Sequence, residues 1–117
     1  MSAITTHVLD TARGRPAAGI LIVLERATPD APPHFQELGR GTTDADGRLR
    51  TLLAPDAHLL AGTYRLTFHT GPYLRDQGGG EGFYPEVAVL FAVRDPSQHY
   101  HVPLLLSPFG YSTYRGS

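Results

Sequence analysis

Glycine and proline interrupt this chain so often that only short elements fit between them. Thirteen glycines and ten prolines lie mostly between short apolar or alternating runs, the spacing of an all-β sandwich or barrel. The first run, Ala3–Asp10, closes at the turn-rich Arg13-Gly14-Arg15-Pro16. Gly19–Ala27 sets Ile20, Ile22 and Leu24 on one face and Leu21 and Val23 on the other, so both faces are expected to be buried at its start. Thr28–His34 contains three prolines and reads as a loop, followed by a weaker strand over Phe35–Thr43. Asp44-Ala45-Asp46-Gly47 reads as a turn in which Gly47 supplies a positive φ, and Arg48–Leu53 as a short strand. Thr63–Thr70 is the clearest alternation, with Tyr64, Leu66 and Phe68 facing one way and Arg65, Thr67 and His69 the other. Tyr73–Gln77 allows one or two helical turns before Gly78-Gly79-Gly80. Further strands are expected over Glu86–Val93, Tyr100–Ser107 and Gly110–Tyr114. The expected architecture is a pair of packed antiparallel sheets with about eight strands and one short helix.

A single domain over residues 1–117 accounts for the length. A domain of that size buries enough core to fold without staples. The absence of cysteine excludes disulfides, thiolate metal sites and a cysteine nucleophile together. A net charge of −1 without a basic run offers no electrostatic footprint for nucleic acid or an anionic membrane. Met1–His7 has neither a basic nor an apolar leader region, and no apolar stretch reaches membrane-spanning length. The expectation is a soluble cytoplasmic protein.

Two segments carry most of the remaining information. Near the start, Thr6-His7-Val8-Leu9-Asp10 is followed by Gly14-Arg15-Pro16-Ala17. At the end, His99-Tyr100-His101-Val102-Pro103-Leu104-Leu105-Leu106-Ser107-Pro108-Phe109-Gly110 leads through Tyr111-Ser112-Thr113 into Tyr114-Arg115-Gly116-Ser117. With Thr43-Asp44-Ala45-Asp46-Gly47-Arg48 and Phe83-Tyr84-Pro85-Glu86-Val87 between them, these motifs resemble the transthyretin-like 5-hydroxyisourate hydrolases over nearly the whole chain. The loop around Pro29–His34 is the least typical part.

The resemblance implies a transthyretin-like sandwich assembled as a homotetramer, a dimer of dimers with active sites between the dimers. It implies cofactor-independent, metal-independent hydrolysis of 5-hydroxyisourate, a small-molecule substrate, to 2-oxo-4-hydroxy-4-carboxy-5-ureidoimidazoline in urate degradation. It also implies a catalytic group of His7, Arg48, His101 and Ser117, with His7, Arg48 and Tyr114 binding substrate. Their chemistry suits the reaction. Adding water to a cyclic amide-like carbonyl needs a base, a partner for the oxyanion and a donor for the leaving nitrogen. Imidazoles titrate near neutral pH, and a guanidinium presents a planar fork of donors. With nothing after Ser117, its hydroxyl and carboxylate are both expected to be available to a site. Such a tail needs a surface to order it.

Other polar residues read more plainly. His99 and His101 share a strand face, a spacing that can hold a metal, but no acidic or cysteine third ligand stands beside them. His99 is therefore expected at the rim of the site, and no metal is expected. Arg115 is a candidate for orienting the tail or pairing with a carboxylate. Asp44 and Asp46 read as turn residues, and His34, His58 and His69 have no expected catalytic role. Two other functions remain open: a transthyretin-like small-molecule carrier without catalysis, and a structural sandwich module. Transthyretin replaces the residues matching His7, Arg48 and His101 and lacks the terminal tetrapeptide. A module of this type usually sits inside a longer chain.

Overall fold

The computed structural model describes residues 3–80 and 82–117. Of the segment read above for a leader, Met1 and Ser2 lie outside the described residues. Among those described there are nine strands and one short helix: β1 Ile4–Asp10, β2 Arg15–Pro16, β3 Leu21–Ala27, β4 Phe35–Thr42, β5 Arg48–Leu49, β6 Gly62–Phe68, α1 Thr70–Asp76, β7 Val87–Val93, β8 Tyr100–Ser107 and β9 Gly110–Thr113. They form two sheets. One runs β2-β1-β8-β9, with β5 also on β1, and the other runs β4-β3-β6-β7.

The pairing is antiparallel with one exception. β1 and β8 run parallel over seven residue pairs, from Ile4 beside Tyr100 to Asp10 beside Leu106. Alternation in a sequence reports which residues share a face and is silent on direction. The ninth strand is Arg15–Pro16, expected as turn, which pairs with Asp10 and Leu9. The expected strand Arg48–Leu53 keeps only its first two residues in the ladder. Its Leu52 is buried outside any strand. The helix starts at Thr70, three residues before the expected start at Tyr73. Pro72 is tolerated there because the first helical turn needs no N–H from it. Gly78 follows the helix at φ 88°.

Period-two patterning decides what is buried. On β6, Tyr64, Leu66 and Phe68 face the core, joined by Ile22 and Leu24 from β3 and Val87 and Val93 from β7. The opposing sheet contributes Ile4 and Val8 from β1 and Leu104 and Leu106 from β8. Val23 is buried on the other face of β3, as expected for a strand apolar on both faces. Asp10 is buried beneath this end of the sheet. Its carboxylate accepts hydrogen bonds from the Tyr73 hydroxyl at 2.8 Å and the Arg13 amide at 3.0 Å. Burial and the bond to Asp10 push the Tyr73 hydroxyl up to about 12. No described helix is long and apolar enough to cross a membrane.

With the even-numbered residues of β1 and β8 turned inward, the odd-numbered residues Thr5, His7, His101 and Pro103 lie on the outer face of the first sheet. This face carries the site.

Candidate active site

Strand register assembles the polar cluster. Arg48 of β5 pairs with His7 of β1, and Thr5, one pleat along β1, pairs with His101 of β8. Directly paired residues stand side by side on one sheet face. Four polar side chains from three strands therefore meet, although His7 and His101 are far apart in sequence. The tail supplies the next row: Gly116 bridges His101, its amide donating to the His101 carbonyl at 2.8 Å.

Arg48 owes its place to the turn before it. The Asp44 carboxylate accepts from the amides of Asp46 and Arg48 at 2.9 and 3.0 Å, and the Arg48 amide bond leads the causes that hold its carboxyl below the usual range. Gly47 takes φ 74°, a left-handed conformation open to glycine. A Cβ there would sit 2.4 Å from the Val8 carbonyl oxygen. Asp44 and Asp46 are thus turn residues in this structure.

Between these elements lies a cavity of about 280 Å³, lined by Arg48, Arg50, His99, His101 and Ser117 together with Thr5 and Thr6. His7 lies on the same sheet face but does not line the cavity. Its Nε2 donates to the Asp46 carbonyl at 2.9 Å, which leaves Nδ1 as the ring's acceptor. His101 is half-buried, with Nδ1 2.8 Å from the Thr5 hydroxyl. Burial leads the causes that hold its imidazole below the ordinary value, followed by the charges of Arg48, His99 and His7; a hydrogen bond with the Thr5 backbone opposes them.

The tetrapeptide divides. Ser117 enters the cavity, whereas Tyr114 is exposed and lines a separate, largely apolar cleft with Val89, Phe91 and Val102. Arg115 orients the tail: its guanidinium donates to the Gln98 side chain at 2.8 Å and covers the Tyr100 ring at 4.5 Å. Gly116 lies flat on His101, where a Cβ would fall 2.6 Å from the imidazole Cδ2. His34, His58 and His69 stand outside this cavity. Among the described residues, no three His, Cys, Asp or Glu side chains are grouped to hold a metal ion.

Sequence reasoning missed Thr5 and Arg50. Thr5 reads as an ordinary strand threonine, and the signal that finds it is its register with His101. Arg50 follows the two-residue β5 and was indistinguishable from a solvated charge.

Residues 4–116 match the model of the HIUase/Transthyretin family. The chain is 48% identical to a 5-hydroxyisourate hydrolase of Mesorhizobium japonicum, covering 97% of this chain and 91% of that relative. Among solved structures, 5-hydroxyisourate hydrolase of Klebsiella pneumoniae aligns at a TM-score of 0.82 with 36% identity, covering 100% of both chains. Sea bream transthyretin in complex with thyroxine aligns at 0.87 with 30% identity, covering 98% of this chain and 95% of that one. The backbone alone does not separate a hydrolase from a carrier.

Proposed function

Because this chain belongs to the HIUase/Transthyretin family, we propose that it is an enzyme that hydrolyses 5-hydroxyisourate to 2-oxo-4-hydroxy-4-carboxy-5-ureidoimidazoline in urate degradation. The observation that carries the reading is the convergence of His101, Arg48 and Ser117 on one cavity, with His7 beside Arg48 in the ladder. A carrier has no need of imidazoles and a guanidinium placed together. The relative 48% identical to this chain is itself a 5-hydroxyisourate hydrolase.

In this scheme neutral His101 takes a proton from water as the water oxygen attacks the ring carbonyl. The Arg48 guanidinium stabilises the developing oxyanion. The C–N bond then breaks, and the proton held on His101 passes to the leaving nitrogen, opening the ring to a carboxylic acid that releases its remaining proton to solvent, and restoring the imidazole. His7, one strand from His101, supports the substrate together with Arg48. Ser117 closes the cavity from the tail. Tyr114 contributes to substrate binding only where a neighbouring subunit brings its ring to the site.

That last requirement belongs with a homotetramer of one-domain subunits, built as a dimer of dimers with shared sites. Exposed Leu90 on the edge strand β7, Phe109 in the β8–β9 turn and Phe83 in the loop before β7 offer apolar surface for such contacts.

The test generates 5-hydroxyisourate from urate with urate oxidase and follows its disappearance spectrally against its spontaneous decay. Acceleration proportional to protein concentration is expected. His101→Ala is expected to lower it by about 10²–10⁴-fold, the usual contribution of an acid–base group. Saturable binding without acceleration would favour the carrier instead.

A further inference from the structure

Thr5 holds a buried hydroxyl between two imidazoles. Its Oγ1 lies 2.8 Å from Nδ1 of His101 and 3.2 Å from Nε2 of His99. A threonine hydroxyl has one proton, so in bonding both neutral rings it donates to one and accepts from the other. The tautomers of the two rings are thereby coupled. With its proton on Nδ1, His101 donates to Thr5 and Thr5 donates to His99. With the proton on Nε2, the chain runs in reverse, from His99 through Thr5 to His101.

The surroundings choose between these directions. Thr5 occupies Nδ1, and Gly116 lies against the Cγ–Cδ2 side of the ring, so the Nε2 edge remains for the cavity. The charged and titratable groups around it are Arg48 and Arg50 from β5 and the residue after it, His7 from β1, and His99 from the segment before β8. All of these are cationic when charged; against them stands the single carboxylate expected at Ser117 on the same cavity, so the two guanidiniums leave that wall net positive. A neutral imidazole is negative at its bare nitrogen and positive at its N–H. Turning the bare nitrogen toward the guanidinium side is therefore favourable, and the N–H then falls on Thr5.

We infer that Thr5 is a positioning residue: with His99 as terminal acceptor, it locks His101 in the Nδ1–H tautomer and presents a bare Nε2 to the cavity. The catalytic consequence rests on the hydrolase reading above; the tautomer does not. A hydrogen bond at one ring nitrogen sets what the other can do, and the lock makes His101 a proton acceptor before substrate arrives. Free imidazole side chains favour the opposite tautomer, Nε2–H, so the lock has a visible signature.

Long-range ¹H–¹⁵N correlation spectra of the full chain, recorded where His101 is neutral, read it directly. Wild type and Thr5→Ser are expected to show protonated Nδ1 and bare Nε2 at His101. Thr5→Val, a near-isosteric change, is expected to release the ring toward Nε2–H. The same variant should lower kcat by about 10–100-fold, the scale seen when a histidine loses its hydrogen-bonded orienting partner at a metal site, while KM changes little and Thr5→Ser recovers the rate. Should Thr5→Val not fold, His99→Leu serves in its place. It removes the terminal acceptor from an exposed segment and frees the Thr5 proton to turn toward His101, shifting the tautomer the same way. A wild-type His101 protonated on Nε2, or an unchanged tautomer in the folded variants, overturns the inference. A locked wild-type tautomer in a protein that does not turn over 5-hydroxyisourate supports the lock and removes the hydrolase reading instead.

Discussion

His101 shows how much chemistry a single residue draws from its neighbours. Burial first, and then the charges of Arg48, His99 and His7, hold its imidazole below the ordinary value, which lies near 6.5. A base works in its neutral form, so the lowered value would keep the proposed base His101 competent to more acid pH. The acid limb of kcat/KM, where it reports this group, is expected below the usual imidazole position. Arg48→Gln removes the strongest of the charges acting on it, so the His101 titration should move upward; an NMR titration of its ring protons measures this. The linkage to stability has a definite sign. The folded protein protonates His101 less readily than the unfolded chain, so this group's effect is absent above the unfolded value. Stability declines as pH falls from there through the folded value. Gly47 is the backbone counterpart. With φ 74° and a Cβ position 2.4 Å from the Val8 carbonyl oxygen, Gly47→Ala is expected to cost about 1–3 kcal/mol, measured by denaturant unfolding.

Among the elements, the terminal segment contributes most to the site for the least core. Residues 114–117 are exposed apart from half-buried Gly116, yet they bring Ser117 into the cavity and hold Gly116 against His101. Deleting them removes the Gly116–His101 hydrogen bond and the Arg115 contacts but little apolar burial. Stability should fall by about 1–2 kcal/mol, as for changes outside a core, while turnover falls much further. Gly116→Ala makes the finer version of this test, since its methyl group must displace the tail or the imidazole. Thermal melting and the spectral assay on the same samples separate the two effects. A truncated protein that melts normally and turns over at full rate would remove the tail from the site.

At the scale of the whole molecule, assembly decides what partners Tyr114. Among the described residues each sheet has unpaired edges, and β7 carries Leu90 at 61% exposure. Tyr114, at 55% exposure, lines a cleft separate from the cavity that holds His101. Light scattering is expected to report a homotetramer, a closed assembly with two-fold symmetry. Leu90→Asp should weaken assembly and turnover together if the subunits share sites. A stable monomer with full activity would remove the tetramer and any intersubunit role for Tyr114.

Much of this protein was readable in its order of residues. Glycine and proline spacing marked where strands end, and alternation marked which side of β6 is buried, because both are local consequences of backbone geometry. The turn at Asp44–Gly47 was legible for the same reason. The candidate residues were found through motif resemblance, which records chemistry without geometry. Strand direction and register required the fold, since the parallel β1–β8 pair joins segments about ninety residues apart and nothing local encodes such a partner. That register set Thr5 beside His101 and made a site component of a threonine that its own neighbourhood leaves unremarkable. It also left Ser117 on the His101 cavity and Tyr114 on a separate cleft, because only the packed sheets determine what lies beside each residue of the tail.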